Sequence, residues 1–174
     1  MPLTNLLHAW EAFYTLLGTA SATMVGLLFV AASVGSGVFM PGRRAPLRVF
    51  LSASVVNFSL TLASSLVVLA PLPNGTWIGA LILACGVFGF SHACLAWRDT
   101  LKDGLMKVID FEDRTWYLAL PIVGYSGVAA SGALLALQYA QGCVALAVSV
   151  SVLLAIGLHN AWDITLWIIT QRRS

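Results

Sequence analysis

Apolar runs of about 20 residues, the length that crosses a hydrocarbon core roughly 30 Å thick, repeat along this chain with short polar breaks between them. Five such runs are predicted as helices, over residues 10–38, 48–70, 77–97, 116–139 and 143–169. Gly35, Gly37, Pro41 and Gly42 close the first. Pro46 suits the first turn of the second, which stops at Pro71, Leu72, Pro73, Asn74 and Gly75. Thr76 and Thr115 are expected to cap the third and fourth, and Gln141 and Gly142 to break the chain before the fifth. Pro121 either kinks the fourth helix or marks its true start. The pattern predicts a single all-α transmembrane domain over residues 1–174, with one sizeable aqueous segment at residues 98–115.

Charge fixes the direction of this ladder. All nine Lys and Arg residues fall on one side of it. Arg43, Arg44 and Arg48 lie between spans one and two, Arg98, Lys102, Lys107 and Arg114 between three and four, and Arg172 and Arg173 after five. The opposite connections, residues 70–76 and 140–142, carry no charge. A four- or six-span arrangement would split the basic residues between the two sides. The positive-inside rule therefore predicts five spans, with the N-terminus outside and the C-terminus cytoplasmic.

Composition agrees, with 59% hydrophobic and 9% charged residues against about 25% charged in soluble domains. A soluble single domain has no way to hide that much apolar surface. The pI near 8.6 reflects basic residues at helix ends, so no nucleic-acid partner is expected. No Lys or Arg precedes the first apolar stretch, which is longer than a signal-peptide core, so a cleaved leader is not expected. Cys85, Cys94 and Cys143 show no CxxC spacing, which gives neither a disulfide framework nor a thiolate metal site.

Aromatic residues mark the boundaries. Trp10, Tyr14, Trp77 and Tyr139 fall at outer ends, and Trp97, Trp116, Tyr117 and Trp167 at inner ends, the depth that amphipathic rings prefer. Residues 98–114 hold four basic and five acidic residues, and Leu101, Leu105, Val108 and Ile109 predict a short helix lying along the inner interface.

Small residues show where helices can approach. Gly18, Ala22 and Gly26 repeat every four residues in span one. Span three offers Cys85, Gly89 and Ala93, and span four Gly124 and Gly132 with Ala136. Such stripes bring helix backbones together in lipid, where apolar burial gives no drive for association.

Ionisable and amide groups inside the spans are few: Asn57, His92, His159, Asn160 and Asp163. His159 and Asp163 stand at i, i+4 and share one helix face. If the faces converge, this set can relay protons, ligate a divalent metal, or hold haem iron through two histidines. The competing reading is structural. Asp163 can reach the interface or pair with Arg48, Arg98 or Arg172, while His159 bonds Asp163 or a backbone carbonyl, and His92 packs on Trp97. Glu11 reads as a solvated interfacial carboxylate. Phosphate-loop, HExxH, GxSxG and dinucleotide motifs do not occur.

Residues 10–31, with Trp10, Glu11, Phe13 and Tyr14 opening the helix and Gly26, Leu27, Leu28, Phe29, Val30 and Ala31 following, resemble the opening of a group of small uncharacterised bacterial integral membrane proteins. The resemblance covers about a seventh of the chain. It implies a bacterial cytoplasmic (inner) membrane and carries over no catalytic or binding residue.

The functional expectation is a non-enzymatic multi-pass membrane protein without cofactor. It would act as an oligomeric pore for ions or small solutes, or as an accessory subunit of a membrane-protein partner. The alternative from another class is a membrane-embedded redox, metal or haem protein using the His/Asp group.

Overall fold

A computed structural model describes residues 3–35, 44–102 and 114–171. Among them the chain is helical: α1 (Leu3–His8), α2 (Glu11–Gly35), α3 (Arg44–Leu69), α4 (Gly75–Lys102), α5 (Thr115–Ala136) and α6 (Gln141–Gln171). Four segments are long and apolar enough to cross a membrane: Glu11–Ser33, Gly75–Lys102, Thr115–Ala136 and Gln141–Asp163. The apolar stretch of α3 within the described side chains is Ala53–Leu69.

Helices α3, α4, α5 and α6 form a four-helix ring in which each touches the next and α3 meets α6. Helix α2 packs outside the ring against α3 and only grazes α6. One core cluster holds Ile82, Tyr125, Leu135, Leu146, Val150, Leu153 and Ile156, all essentially inaccessible, and Phe58 is buried in a second with Leu28 of α2 and Ala161 of α6. The outer surface is also apolar, with Leu16, Phe29, Phe88, Val123, Val148 and Leu158 exposed. A protein surrounded by water rarely shows so continuous a patch.

Hydroxyls on that outer face are already satisfied. Thr19 donates to the Thr15 carbonyl at 2.8 Å, Thr23 to Thr19 at 2.9 Å, Ser91 to Val87 at 2.8 Å and Ser126 to Ile122 at 2.7 Å. Each turns its polar atom back onto its own helix, so that methyl, methylene and backbone carbon face outward, as a hydrocarbon solvent requires.

The α4–α5 seam is the closest. A β-carbon on Gly79 would stand 2.1 Å from the Ala136 nitrogen, one on Gly86 2.4 Å from the Ala129 nitrogen, and one on Gly132 2.3 Å from the Leu83 nitrogen. The predicted Gly89 and Ala93 lie buried on this side of α4, and Gly124 lies against Leu153 of α6. The stripe expected on α2 divides. A β-carbon on Gly18 would stand 3.1 Å from the Ser65 β-carbon of α3, whereas one on Gly26 would meet nothing within 4 Å and Ala22 is exposed.

Several local expectations are corrected. Asn74, not Thr76, caps α4: its side-chain oxygen accepts the Trp77 amide at 3.1 Å. Helix α4 runs on to Lys102, so residues 98–102 belong to a helix and not to the inner loop. The interfacial helix expected across residues 101–109 lies outside the described residues beyond Lys102. Thr115 sits inside α5, whose N-cap is Arg114. Pro121 stands in the first turn of the α-helical part of α5, Leu120–Ala136, and so marks a start, one of its two expected roles, without breaking α5. The turn before it, Thr115–Ala119, is π-helical, with the Leu120 amide reaching the Thr115 carbonyl. Proline lacks an N–H and its ring crowds the carbonyl four residues back; the wider turn absorbs both. The break before α6 falls at residues 137–140, with Gln141 and Gly142 already helical. There α5 ends in a Schellman pair: the Gln138 amide bonds Leu135 and the Tyr139 amide bonds Leu134, both at 2.9 Å. Gln138 takes the left-handed position, φ 64°. Tyr14, expected at the outer interface, is fully buried. It lies in one cluster with Leu7 and Leu17, with its ring edge-to-face to Phe13 at 5.1 Å.

Candidate functional site

Helix α3 brings Ser54, Asn57, Thr61, Ser64 and Ser65, all buried, onto one face at spacings of three and four. Most of this face is locally satisfied. Thr61 donates to the Asn57 carbonyl at 2.9 Å and Ser65 to the Thr61 carbonyl at 3.0 Å. The Asn57 carboxamide has no such local option and reaches across the ring.

Tyr125 meets it. Its hydroxyl donates to Asn57 Oδ1 at 2.5 Å. The Tyr125 ring lies across α4 at Gly89, where a β-carbon would stand 2.3 Å from the ring. Three helices therefore converge on one side chain: α5 supplies Tyr125, α4 makes room through Gly89, and α3 supplies the acceptor. Asn57, Gly89 and Tyr125 each fall near the midpoint of their helices, so this bond sits at the middle depth of the bundle.

Helix α6 contributes Asn160, His159 and Asp163. Asn160 is fully buried, and its backbone carbonyl accepts the Tyr117 hydroxyl at 3.3 Å. His159 stacks face to face on Trp116, ring centres 3.8 Å apart and planes 4° from parallel. Its Nδ1 lies 3.2 Å from Asp163 Oδ2. That is an ion-pair distance without the alignment of a hydrogen bond. Both side chains stay about one-third exposed, so the pair belongs to the periphery of the bundle and not to its axis.

The five polar residues therefore do not form one centre. Asn57 and Asn160 are buried within the ring, His159 and Asp163 pair on its flank, and His92 lies part-buried on α4. Among the described residues, no three His, Cys, Asp or Glu side chains are arranged to hold a metal ion. The expected alternative of His92, His159 and Asp163 around a divalent cation is corrected on that ground. The acidic partner of Arg98 is its neighbour Asp99 at 3.8 Å, on the surface, and not Asp163. The side chains of Arg48 and Arg172 lie outside the described set.

Sequence reasoning passed over Tyr125 and the hydroxyl face of α3. The face was available as a signal, since Ser54, Asn57, Thr61, Ser64 and Ser65 follow a three-and-four rhythm within an otherwise apolar run. Tyr125 gave none, because a tyrosine inside an apolar helix reads equally as packing. Set against known proteins, the chain matches no family, no curated protein and no solved structure.

Proposed function

We propose that this chain is a five-span protein of a bacterial cytoplasmic membrane, its N-terminus outside and its C-terminus in the cytoplasm. It acts without catalysis as an accessory subunit, in contact with lipid and with a membrane-protein partner or further copies of itself. The observation that carries this reading is the filled centre. Ile82, Tyr125, Leu146, Val150 and Leu153 fill the core of the ring, where a solute path through one chain would need a polar wall from one side to the other. The His159–Asp163 pair on the flank supplies no such wall. Any pore in an assembly of these chains would run between copies.

The fifth span is α3. Its 26 residues reach about 39 Å at 1.5 Å per residue, enough to cross. Counting it keeps every basic residue on one side. The bacterial membrane rests on the resemblance of residues 10–31.

Reporter fusions after Thr76 and after Lys107 test the topology and are expected to report opposite compartments; identical readouts overturn it. Reconstituted liposomes test the role. Proton, cation and anion flux equal to that of empty vesicles is expected, and flux well above it replaces the accessory role with a pore.

A further inference from the structure

Two carboxamides inside the ring carry polar atoms without a partner among the described residues. Asn57 Nδ2 and both polar atoms of Asn160 have no hydrogen-bonding partner among the described residues, and the two residues are 1% and 0% exposed. Burying a carboxamide with its donors and acceptor unengaged is strongly unfavourable in an apolar medium.

The two amides lie at nearly the same depth of the bundle. Phe58, adjacent to Asn57, lies against Gly157, where a β-carbon would stand 2.9 Å from the ring. The same ring clusters with Ala161. Asn160 lies between these two α6 positions in sequence. Helices α3 and α6 run antiparallel, so this register places Asn57 and Asn160 within about 3–5 Å of each other along the bundle axis. Helix α5 flanks both: the Tyr125 hydroxyl bonds the Asn57 side chain and the Tyr117 hydroxyl bonds the Asn160 carbonyl.

We propose that the α3–α6 seam is a water-binding site, in which an ordered water molecule bridges the carboxamides of Asn57 and Asn160. A buried water needs two to four polar partners. Asn57 Nδ2 and Asn160 Oδ1 provide an N–H donor and a carbonyl acceptor. Asn160 Nδ2 and the Tyr125 hydroxyl oxygen add a further donor and acceptor. Exchanging the nitrogen and oxygen of either amide leaves the count intact, since one polar atom of Asn57 stays free in both settings. The other unpartnered hydroxyls, Tyr14 and Ser21, stand seven residues apart on α2, about 10 Å along the helix. Each offers a single group, so neither makes a comparable site.

A double-substitution cycle tests this. Leucine has the branched four-atom skeleton of asparagine and removes both polar atoms. Asn57→Leu and Asn160→Leu are each expected to lower the melting temperature in detergent, because each strands the water and the other amide. The double variant is expected to recover at least half of the summed loss. Additive losses, or single variants as stable as wild type, overturn the proposal. A high-resolution crystal structure of the wild-type protein provides the second reading and decides the matter if the single variants do not fold. A water oxygen within hydrogen-bonding distance of both amides is expected. A direct amide–amide bond, or two amides with no water between them, overturns the proposal.

Discussion

Gly79→Ala adds one methyl group and should unseat the α4–α5 seam. The new carbon would stand 2.1 Å from the Ala136 nitrogen, 2.6 Å from its α-carbon and 2.7 Å from the Gly132 oxygen. Carbon contacts settle near 3.5–4.0 Å, so the helices must part by about 1 Å or more. All three atoms belong to backbone, which cannot swing aside as a side-chain end can. Parting there also loosens Gly132 on Leu83 and Gly86 on Ala129, which belong to the same seam. A gap of that size forfeits a large share of the dispersion energy, and lipid gives no apolar drive to restore it. A loss of about 3 kcal/mol is expected, at the upper end for overpacked cores. Gly26→Ala is the matched control: the same methyl meets nothing within 4 Å, and stability should stay within about 0.5 kcal/mol. Unfolding in mixed micelles by rising SDS, followed by circular dichroism, measures both. The reasoning fails if Gly79→Ala melts like wild type, or if Gly26→Ala loses as much.

Tyr125→Phe removes the hydroxyl that Asn57 accepts and should destabilise by about 1 kcal/mol, the modest scale of interhelical bonds in membranes; the same micelle titration reads it. Asp163→Asn leaves a polar group one turn from His159, on a flank about one-third exposed. Its loss should be about 1 kcal/mol or less, and a loss of several kcal/mol would show that the charge itself braces α6. Gln138→Gly relieves the left-handed φ of 64° at the end of α5. Set against one exposed bond to Thr76, it should raise stability by about 0.5–1 kcal/mol; an unchanged or lower melting temperature contradicts this.

The long apolar segments were legible from the sequence because membrane crossing demands a run length that few other structures need. Packing was legible only in part, for a geometric reason. Residues four apart advance 400° around an α-helix, so a four-spaced stripe rotates by about 40° at each step. Gly18 faces α3, Ala22 has turned outward, and Gly26 has left the contact. A seven-residue step drifts only about 20°. Gly79 and Gly86 therefore stay on one seam, although that spacing catches the eye less readily. The candidate site was half legible. Asn57 and Asn160 stand out as costly groups, but which of the polar residues face one another depends on helix rotation, and no single residue reports it. The π turn was not legible, because Pro121 is compatible with a kink, a start or a widened turn.

The ring closes through α3 and α6, whose contacting residues Phe58 and Gly157 lie about a hundred positions apart in the chain. The other ring contacts join consecutive helices. Consecutive pairs can form as hairpins as soon as both members are inserted, whereas the closing pair must wait for the whole ring. The α4–α5 hairpin is sealed backbone to backbone, while at the closing seam the Phe58 ring lies over Gly157. Transient breathing of the bundle should begin along α3, whose contacts with both ring neighbours are sparser than those between α4 and α5, and amide hydrogen exchange should be slowest between α4 and α5.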